Sequence, residues 1–231
     1  MKKVILFIAV CLLMGTTSSY AQLTKEQRKE REELRKSSKS ELNEKATKAA
    51  RSEARQNAKD GWKTAPGALP LEKQLDRSYL MQMEYDADMY PKYIMAEGMS
   101  VGGNYDAAKM QALELAKQNL AGKILTEVTG LVNNSVENQQ MEAEEAVSIT
   151  RSVLTGKSFI SQSLGRIITV VEAYRTCDDF GNPLPNKNKQ VLVRIAYNGD
   201  MAKKVAKEAI RRDLEQRGDD LHNKLDELLG W

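Results

Sequence analysis

The residues best placed for chemistry are the glycines of GMSVGGNYDAAKMQALELAKQNLA, which spans Gly98–Ala121. A glycine-rich turn that enters a helix often binds a phosphate, because its backbone amides point at the anion. The dinucleotide-binding pattern requires G-x-G-x-x-G, whereas these glycines stand at positions 98, 102 and 103. Asn104 is the predicted N-cap, and Asp106 puts a carboxylate where an anion would bind. We therefore predict a tight turn between a strand and a helix, without a phosphate site.

A second candidate is the sequence TGKS at Thr155–Ser158, which matches the end of a P-loop. A P-loop requires another glycine five residues before Gly156, and Arg151 occupies that position. No apolar strand precedes the segment either. The match is therefore interpreted as coincidental, and nucleotide binding is not predicted.

The cysteine and histidine that lie beyond the N-terminal apolar run are both isolated. Cys177 precedes Asp178 and Asp179, whose charges oppose formation of a reactive thiolate, so an ordinary loop thiol is predicted. His222 is the single histidine. Without a second histidine or a nearby cysteine it does not form a typical zinc site, and a surface position is expected.

Acidic pairs and methionines also give no site. Paired-carboxylate catalysis needs two groups that face one cleft at a set separation, which adjacent residues in loops do not provide. Thioether ligands would suit Cu(I), but no histidine or cysteine stands near the methionines, so core packing is predicted for them. The acidic pairs are Asp178/Asp179 and Asp219/Asp220, and the methionines are Met81, Met83 and Met89. We predict no catalytic, cofactor-binding or metal-binding residues and no enzymatic activity.

The N-terminus has the features of a signal peptide over residues 1–21. A basic start precedes the apolar run Val4–Met14, and Ser19 and Ala21 are small residues at the usual positions before a cut ahead of Gln22. Cys11 lies inside the apolar run after the branched Val10, so lipoprotein processing is not favoured. Export is expected, to the periplasm, the outer membrane or the extracellular space. The apolar run is too short to span a bilayer as a permanent helix. No transmembrane segment is expected in the mature chain.

Cleavage would lower the formal charge from +3 to +1, since Lys2 and Lys3 would be removed. A nearly neutral protein has no global basic field, so nucleic-acid binding is not predicted. Residues 22–60 form a charged helical arm in this interpretation, and its apolar residues are few. Residues 61–70, with two prolines and two glycines, are predicted to be a linker in which Trp62 docks on the following domain.

Residues 71–231 are predicted to form a single α+β domain. Its sheet is three-stranded and mainly antiparallel, with a βαββ order, and packs on a long Ala-rich helix with flanking N- and C-terminal helices. Alanine and aliphatic residues recur at i+4 through that helix, as in a buried helix face. The predicted elements are helix Leu71–Met89, strand Lys92–Val101, helix Ala107–Val132, helix Met141–Leu154, strands Gly165–Thr176 and Gln190–Tyr197, and C-terminal helix 200–229.

The segments YIMAEGMSVGGNYDAAKMQALELAKQNLAGKI, ISQSLGRIITVVEAYRT and VLVRIAY resemble the LPP20-type lipoprotein domain family. The resemblance covers residues 92–197 and implies a βαββ envelope module without catalytic residues. The signal end and the GWK…PLEKQL lead-in are similar to those of secreted Bacteroidetes proteins. The chain differs from the lipoproteins in lacking an acylation cysteine.

The sequence therefore indicates a non-catalytic secreted envelope protein that acts as a binding or structural adaptor module. An envelope protein or a cell-wall component is the expected partner, and no cofactor is expected. Two alternatives stay open at this point: a carrier that holds a small apolar ligand between helix and sheet, and an enzyme of unrecognised type.

Overall fold

The computed structural model describes residues 24–87, 89–137, 142–184, 187–218, 220–223 and 225. The predicted signal peptide over 1–21, its cleavage site and Cys11 lie outside these residues. The chain divides into two compact units, Met1–Lys45 and Ala46–Trp231. Within the described residues, no helix combines the length and the apolar character needed to cross a bilayer.

The first unit contains helix α1, Lys25–Asn43. Its start is fixed by a capping box at Thr24. The Gln27 amide N–H donates to Thr24 Oγ1 at 3.2 Å, and the Thr24 N–H donates to Gln27 Oε1 at 2.9 Å. Every α1 side chain whose burial is described is exposed.

The second unit is α+β, which confirms the predicted fold class. Its sheet has the order β1-β3-β2, so β3 is central and both pairings are antiparallel. A bulge interrupts the β2–β3 register between Thr169 and Val171. The elements are α2 Lys48–Lys59, α3 Leu71–Gln82, β1 Tyr93–Gly102, α4 Tyr105–Glu137, α5 Ala143–Thr155, α6 Lys157–Ser163, β2 Ile168–Cys177, β3 Asn188–Asn198, α7 Gly199–Arg217 and a 3₁₀ turn Asp220–Asn223.

One face of the sheet packs against α4, which crosses β1 and β3. At about 1.5 Å per residue, its 33 residues extend well beyond the sheet, and the far half packs against α5, α6 and α7. These elements share the larger hydrophobic core. Its fully buried members include Ala112, Leu120, Ile149, Ile160, Ile195, Tyr197, Ile210 and Leu214.

The other face of the sheet is covered by α3, and α2 packs on α3. Ala46 and Ala50 are 3% and 0% exposed, and they share a second core cluster with Leu75, Met81 and residues of β2 and β3. The stretch predicted as one charged arm over 22–60 is thus two helices in different environments. Small alanine side chains allow α2 to pack closely although it has few large apolar residues.

The largest differences from the prediction are two helix ends and one additional helix. Helix α3 ends at Gln82 rather than at Met89, because the chain turns back so that Tyr85 pairs with Pro91. Helix α7 ends at Arg217 rather than continuing to 229, because Gly218 takes a left-handed conformation with φ 66°. A short helix, α6, follows α5 where only the TGKS segment had been noted.

Candidate functional site

The glycines of the opening segment serve helix packing. A Cβ on Gly98 would lie 2.1 Å from the Ala112 carbonyl oxygen, and one on Gly102 would lie 2.9 Å from the Ala108 nitrogen. Both glycines belong to β1, four residues apart on one face, so α4 rests directly on the strand backbone. The prediction of a tight turn was wrong for these two positions. The Asn104 cap is confirmed, since Asn104 Oδ1 accepts the Ala107 N–H at 2.9 Å.

The TGKS segment lies at the junction of α5 and α6, without a preceding strand. The Gly156 N–H is already bonded to the Ser152 carbonyl at 2.9 Å. The Thr155 hydroxyl donates to Asp213 Oδ1 at 2.9 Å. These two hydrogen bonds connect neighbouring helical segments. The residues of this junction therefore form no open loop that could bind a phosphate.

Cys177 is the last residue of β2 and is fully buried, so the expectation of a loop thiol was wrong. Burial raises the pKa of its thiol, and the Asp178 charge raises it further. Asp178 closes a turn by accepting the Phe180 and Asn182 N–H groups at 2.9 and 2.8 Å. Hydrogen bonds, chiefly from the Asn182 side chain, lower the pKa of the Asp178 carboxyl. The Asp178 carboxylate therefore stabilises a turn, and it does not face a second carboxylate across a cleft.

His222 is half-buried in the 3₁₀ turn, not at the open surface that was expected. The pair Asp219/Asp220 is only partly described, since residue 219 lies outside the described residues. Within the described part of the chain, no group of His, Cys, Asp and Glu side chains could hold a metal ion. Of Met81, Met83 and Met89, only Met81 is in the core; the prediction of core packing was wrong for the other two, which are each 74% exposed.

Two clusters of charged and polar side chains were not anticipated from the sequence. In the first, Glu172 accepts the Tyr105 hydroxyl and pairs with Lys109 at 2.9 Å. Burial, and then the hydrogen bond to Glu172, raise the pKa of Tyr105 far above its ordinary value. The Tyr105 ring also packs edge-on against Tyr174 at 5.2 Å. The cluster connects α4 to β2, and the raised pKa makes Tyr105 a poor general base.

The second cluster centres on Arg194 of β3. Its guanidinium pairs with Glu97 on β1, and Nη1 donates to Ser78 Oγ of α3 at 2.8 Å. An open cleft beside it is lined by Gln82, Tyr93 and Lys123. The ion pair and the hydrogen bond of Arg194 thus connect β1, β3 and α3.

Side chains and a loop segment cover both outer edges of the sheet. On β1, Asn119 Nδ2 donates to the Glu97 carbonyl at 2.7 Å and Lys123 Nζ to the Met95 carbonyl at 2.6 Å. On β2, Lys63 and Tyr174 exchange two backbone hydrogen bonds of 2.8 Å each. Strand addition needs free edge groups, and these contacts remove several of them.

An exposed apolar patch lies at the turn after α3. Met89 stands in this turn with φ 64°, which is uncommon for a residue other than glycine. The Asp86 N–H and the Tyr90 carbonyl close the turn at 2.8 Å. Large apolar side chains seldom cluster at the surface without a partner, and those exposed here are Leu80, Met83, Tyr85, Met89 and Tyr90.

Helix α1 separates its charges between two faces. At about 100° per residue, the three arginines, Lys39 and the two leucines fall on one side, most of the glutamates fall on the other, and the remaining lysines lie between them. Leu34 and Leu42 are 61% and 54% exposed. The side chains along this basic face border one open surface, lined by Arg28, Arg31, Glu32, Leu34, Arg35, Lys36, Ser38, Lys39 and Leu42.

Among the described residues, no ion pair involves Arg28, Arg31 or Arg35, so the arginines of the basic face have no acidic partner there. Glu32, at the border of this face, pairs instead with Lys36 at 3.1 Å. Counting charges along the segment shows only a basic excess. Plotting the same residues at helical spacing reveals the face, so the sequence did contain the signal.

Comparisons of this chain with models of protein families, with curated proteins and with solved structures find no match.

Proposed function

We propose that the protein is a non-catalytic envelope protein whose second unit is a stable module and whose helix α1 attaches it to a partner. This makes it a binding or structural adaptor that acts after export, with an envelope protein or cell-wall component as its partner. The order β1-α4-α5-α6-β2-β3 contains the βαββ succession of the LPP20-type resemblance, with two further helices after α4, and membership of that family is part of the proposal.

One observation carries the proposal. Helix α1 has no buried side chain among those described, whereas α2 to α7 each contribute to the two hydrophobic clusters or cover the sheet. Isolated helices are held mainly by packing of one face, so a helix without such packing is best explained by a contact with another molecule. The basic face supplies side chains for that contact.

The alternatives have weaker support. A carrier would need space for an apolar ligand between helix and sheet, but α4 rests directly on the backbone of β1 at Gly98 and Gly102. An enzyme would need a reactive group with a partner in a cleft. The titratable clusters at Glu172 and Arg194 instead have paired charges that connect neighbouring elements.

Crosslinking in the intact host envelope tests the proposal. The full chain and a variant lacking Thr24–Asn43 are crosslinked, and their adducts are identified by mass spectrometry. We expect the full chain to form a defined adduct that the variant loses, while both keep the same thermal midpoint. An unchanged adduct without α1 would refute attachment through this helix.

A further inference from the structure

The basic face of α1 indicates what its partner presents. The face is the row Arg28, Arg31, Arg35 and Lys39 with Leu34 and Leu42 beside it. We propose that it docks on an acidic protein surface in which carboxylates flank a shallow apolar groove. The inference rests on the proposed function and specifies the chemistry of the same contact.

The distribution of the two cation types supports a carboxylate partner. All three arginines of α1 lie on the basic face, whereas Lys25, Lys29 and Lys36 lie about 100° around the helix from them, beyond Glu32. A guanidinium presents a planar fork that binds a carboxylate through two hydrogen bonds, which an ammonium cannot reproduce. A row of forks at positions 28, 31 and 35 follows one helix face and therefore suits a row of acidic side chains.

The leucines favour a grooved partner rather than a soluble polyanion. Leu34 and Leu42 stand about two turns apart beside the arginines and are more than half exposed. They are eight residues apart, which is close to the i, i+7 spacing of side chains that anchor a helix in a groove. A flexible acidic polymer would use the charges and leave the leucines in water.

The basic face of a second copy of this chain is a poor occupant. If two basic faces met, arginines would oppose arginines, or Arg31 would oppose Lys39, in either orientation of the helices. Like charges held opposite each other are unfavourable and select against self-pairing. The complementary face has to be acidic.

A lipid surface fits less well. Helices that lie in a membrane interface combine basic residues with a broad apolar face rich in Trp, Phe and Leu. Helix α1 has no aromatic residue. Its two leucines form a narrow stripe, which matches a groove of similar width better than a bilayer.

The test uses the chain from Gln22, so that the apolar N-terminal run does not bind vesicles by itself. The probe is a labelled helical peptide as long as α1, with glutamates on both sides of a leucine stripe. Binding is followed by fluorescence anisotropy at low and physiological salt. Phosphatidylglycerol–phosphatidylcholine vesicles serve as the competing surface.

A matched pair of triple variants separates the face from net charge. R28Q/R31Q/R35Q and K25Q/K29Q/K36Q remove the same charge from two different sides of α1. We expect the arginine variant to lose at least about 10-fold in affinity for the peptide, and the lysine variant to lose less than about 3-fold. Replacing Leu34 by Ser should weaken binding of the peptide but not of polyglutamate.

Equal losses in the two triple variants would overturn the inference, because only net charge would then matter. Vesicle binding that depends on the arginines, without peptide binding, would overturn it in favour of a membrane. The host crosslinking experiment separates this result from the proposed function. If R28Q/R31Q/R35Q keeps the adduct that deletion of Thr24–Asn43 loses, attachment through α1 stands and the assigned chemistry fails.

Discussion

Helices α1 and α2 follow each other in the sequence and are both rich in charged residues, yet their environments are opposite. Every described side chain of α1 is exposed, whereas Ala50 of α2 is fully buried and Ala54 packs against the second core cluster. Polar contacts also anchor the second helix. The Thr47 N–H donates to Asp76 at 2.9 Å, and Glu53 accepts the Tyr79 hydroxyl.

The difference lies in the small residues. The α1 sequence KEQRKEREELRKSSKSELN contains no alanine, whereas α2, KAARSEARQNAK, contains four. Alanine has a high helix propensity and leaves room for a neighbouring helix to approach. The charged residues give both helices a polar surface and therefore do not distinguish them. Helix–helix contact depends on where the small side chains fall along the helix, not on how polar the helix is as a whole.

The sharpest test of this contrast is deletion. Removal of residues 22–43 takes away no buried side chain, so the thermal midpoint of the remaining chain should change by less than about 1 °C. Removal of residues 22–59 also uncovers Leu75, which is 2% exposed in the intact chain. We expect that second deletion to lower the midpoint by about 10 °C or more, or to prevent folding. Equal midpoints in the two deletions, measured by calorimetry, would show that α2 is as dispensable as α1.

A single charge placed in α2 should have the next largest effect. Ala50→Asp puts a carboxylate into a fully buried position and should cost about 3 kcal/mol or more. Ala49→Asp is the control, since Ala49 is exposed in the same first turn and its change should stay within about 0.5 kcal/mol. Chemical denaturation of both variants measures the difference. Similar losses would mean that helix propensity, rather than burial, dominates.

The hydrogen bond between α2 and α3 should contribute less. Tyr79→Phe removes the donor to Glu53 and should cost about 1 kcal/mol. This hydrogen bond, and then burial, raise the pKa of Tyr79 above 10.0. Because the protonated hydroxyl donates, its stabilisation is present below a pH of about 10 and is lost as the pH rises through the folded-state pKa.

The wild-type midpoint should therefore fall more steeply than that of Tyr79→Phe as the pH is raised above about 10. Tyr85→Phe serves as the control, since Tyr85 is 54% exposed. Parallel pH profiles for the wild type and Tyr79→Phe would contradict an energetic role for the bond.

The sequence was sufficient to predict the sheet and the helix that packs on it. Alternation of apolar residues located the first strand, and β-branched and aromatic residues located the other two, each to within a few residues. The i+4 recurrence from Ala108 to Val128 located the core of α4. The small residues were interpreted correctly in α4, whose alanines let it approach the sheet. They were undervalued in α2, because Ala46, Ala50 and Ala54 stand among many charges.

What could not be predicted depends on contacts between distant parts of the chain. The coverage of the second sheet face requires α2 to pack on α3, and no local pattern specifies that pairing. The clusters at Glu172 and Arg194 join residues 67 and 97 positions apart. The basic face of α1, by contrast, is a property of one helix, and helical spacing alone is sufficient to predict it.

The smallest expected effect comes from the two threonine caps, which compare the helices at equivalent positions. Thr24 caps α1 and Thr47 caps α2, and each side chain accepts a backbone N–H three residues ahead. Both cap hydrogen bonds are long, at 3.2 Å for Thr24 and 3.4 Å for Thr47, so loss of either should cost about 0.5 kcal/mol, the low end for threonine caps. In α2 that cost falls on the folded unit, so Thr47→Ala should lower its midpoint by about 2–4 °C per kcal/mol.

Helix α1 has no buried side chain among those described, so loss of its cap does not disturb a hydrophobic core. Thr24→Ala should reduce helicity over the first turns of α1 and leave the midpoint of the second unit unchanged. Amide hydrogen exchange separates the two outcomes, because it reports α1 opening and global unfolding at different residues. A midpoint shift from Thr24→Ala as large as that from Thr47→Ala would show that α1 is coupled to the core, and attachment to a partner would then no longer be needed to explain the helix.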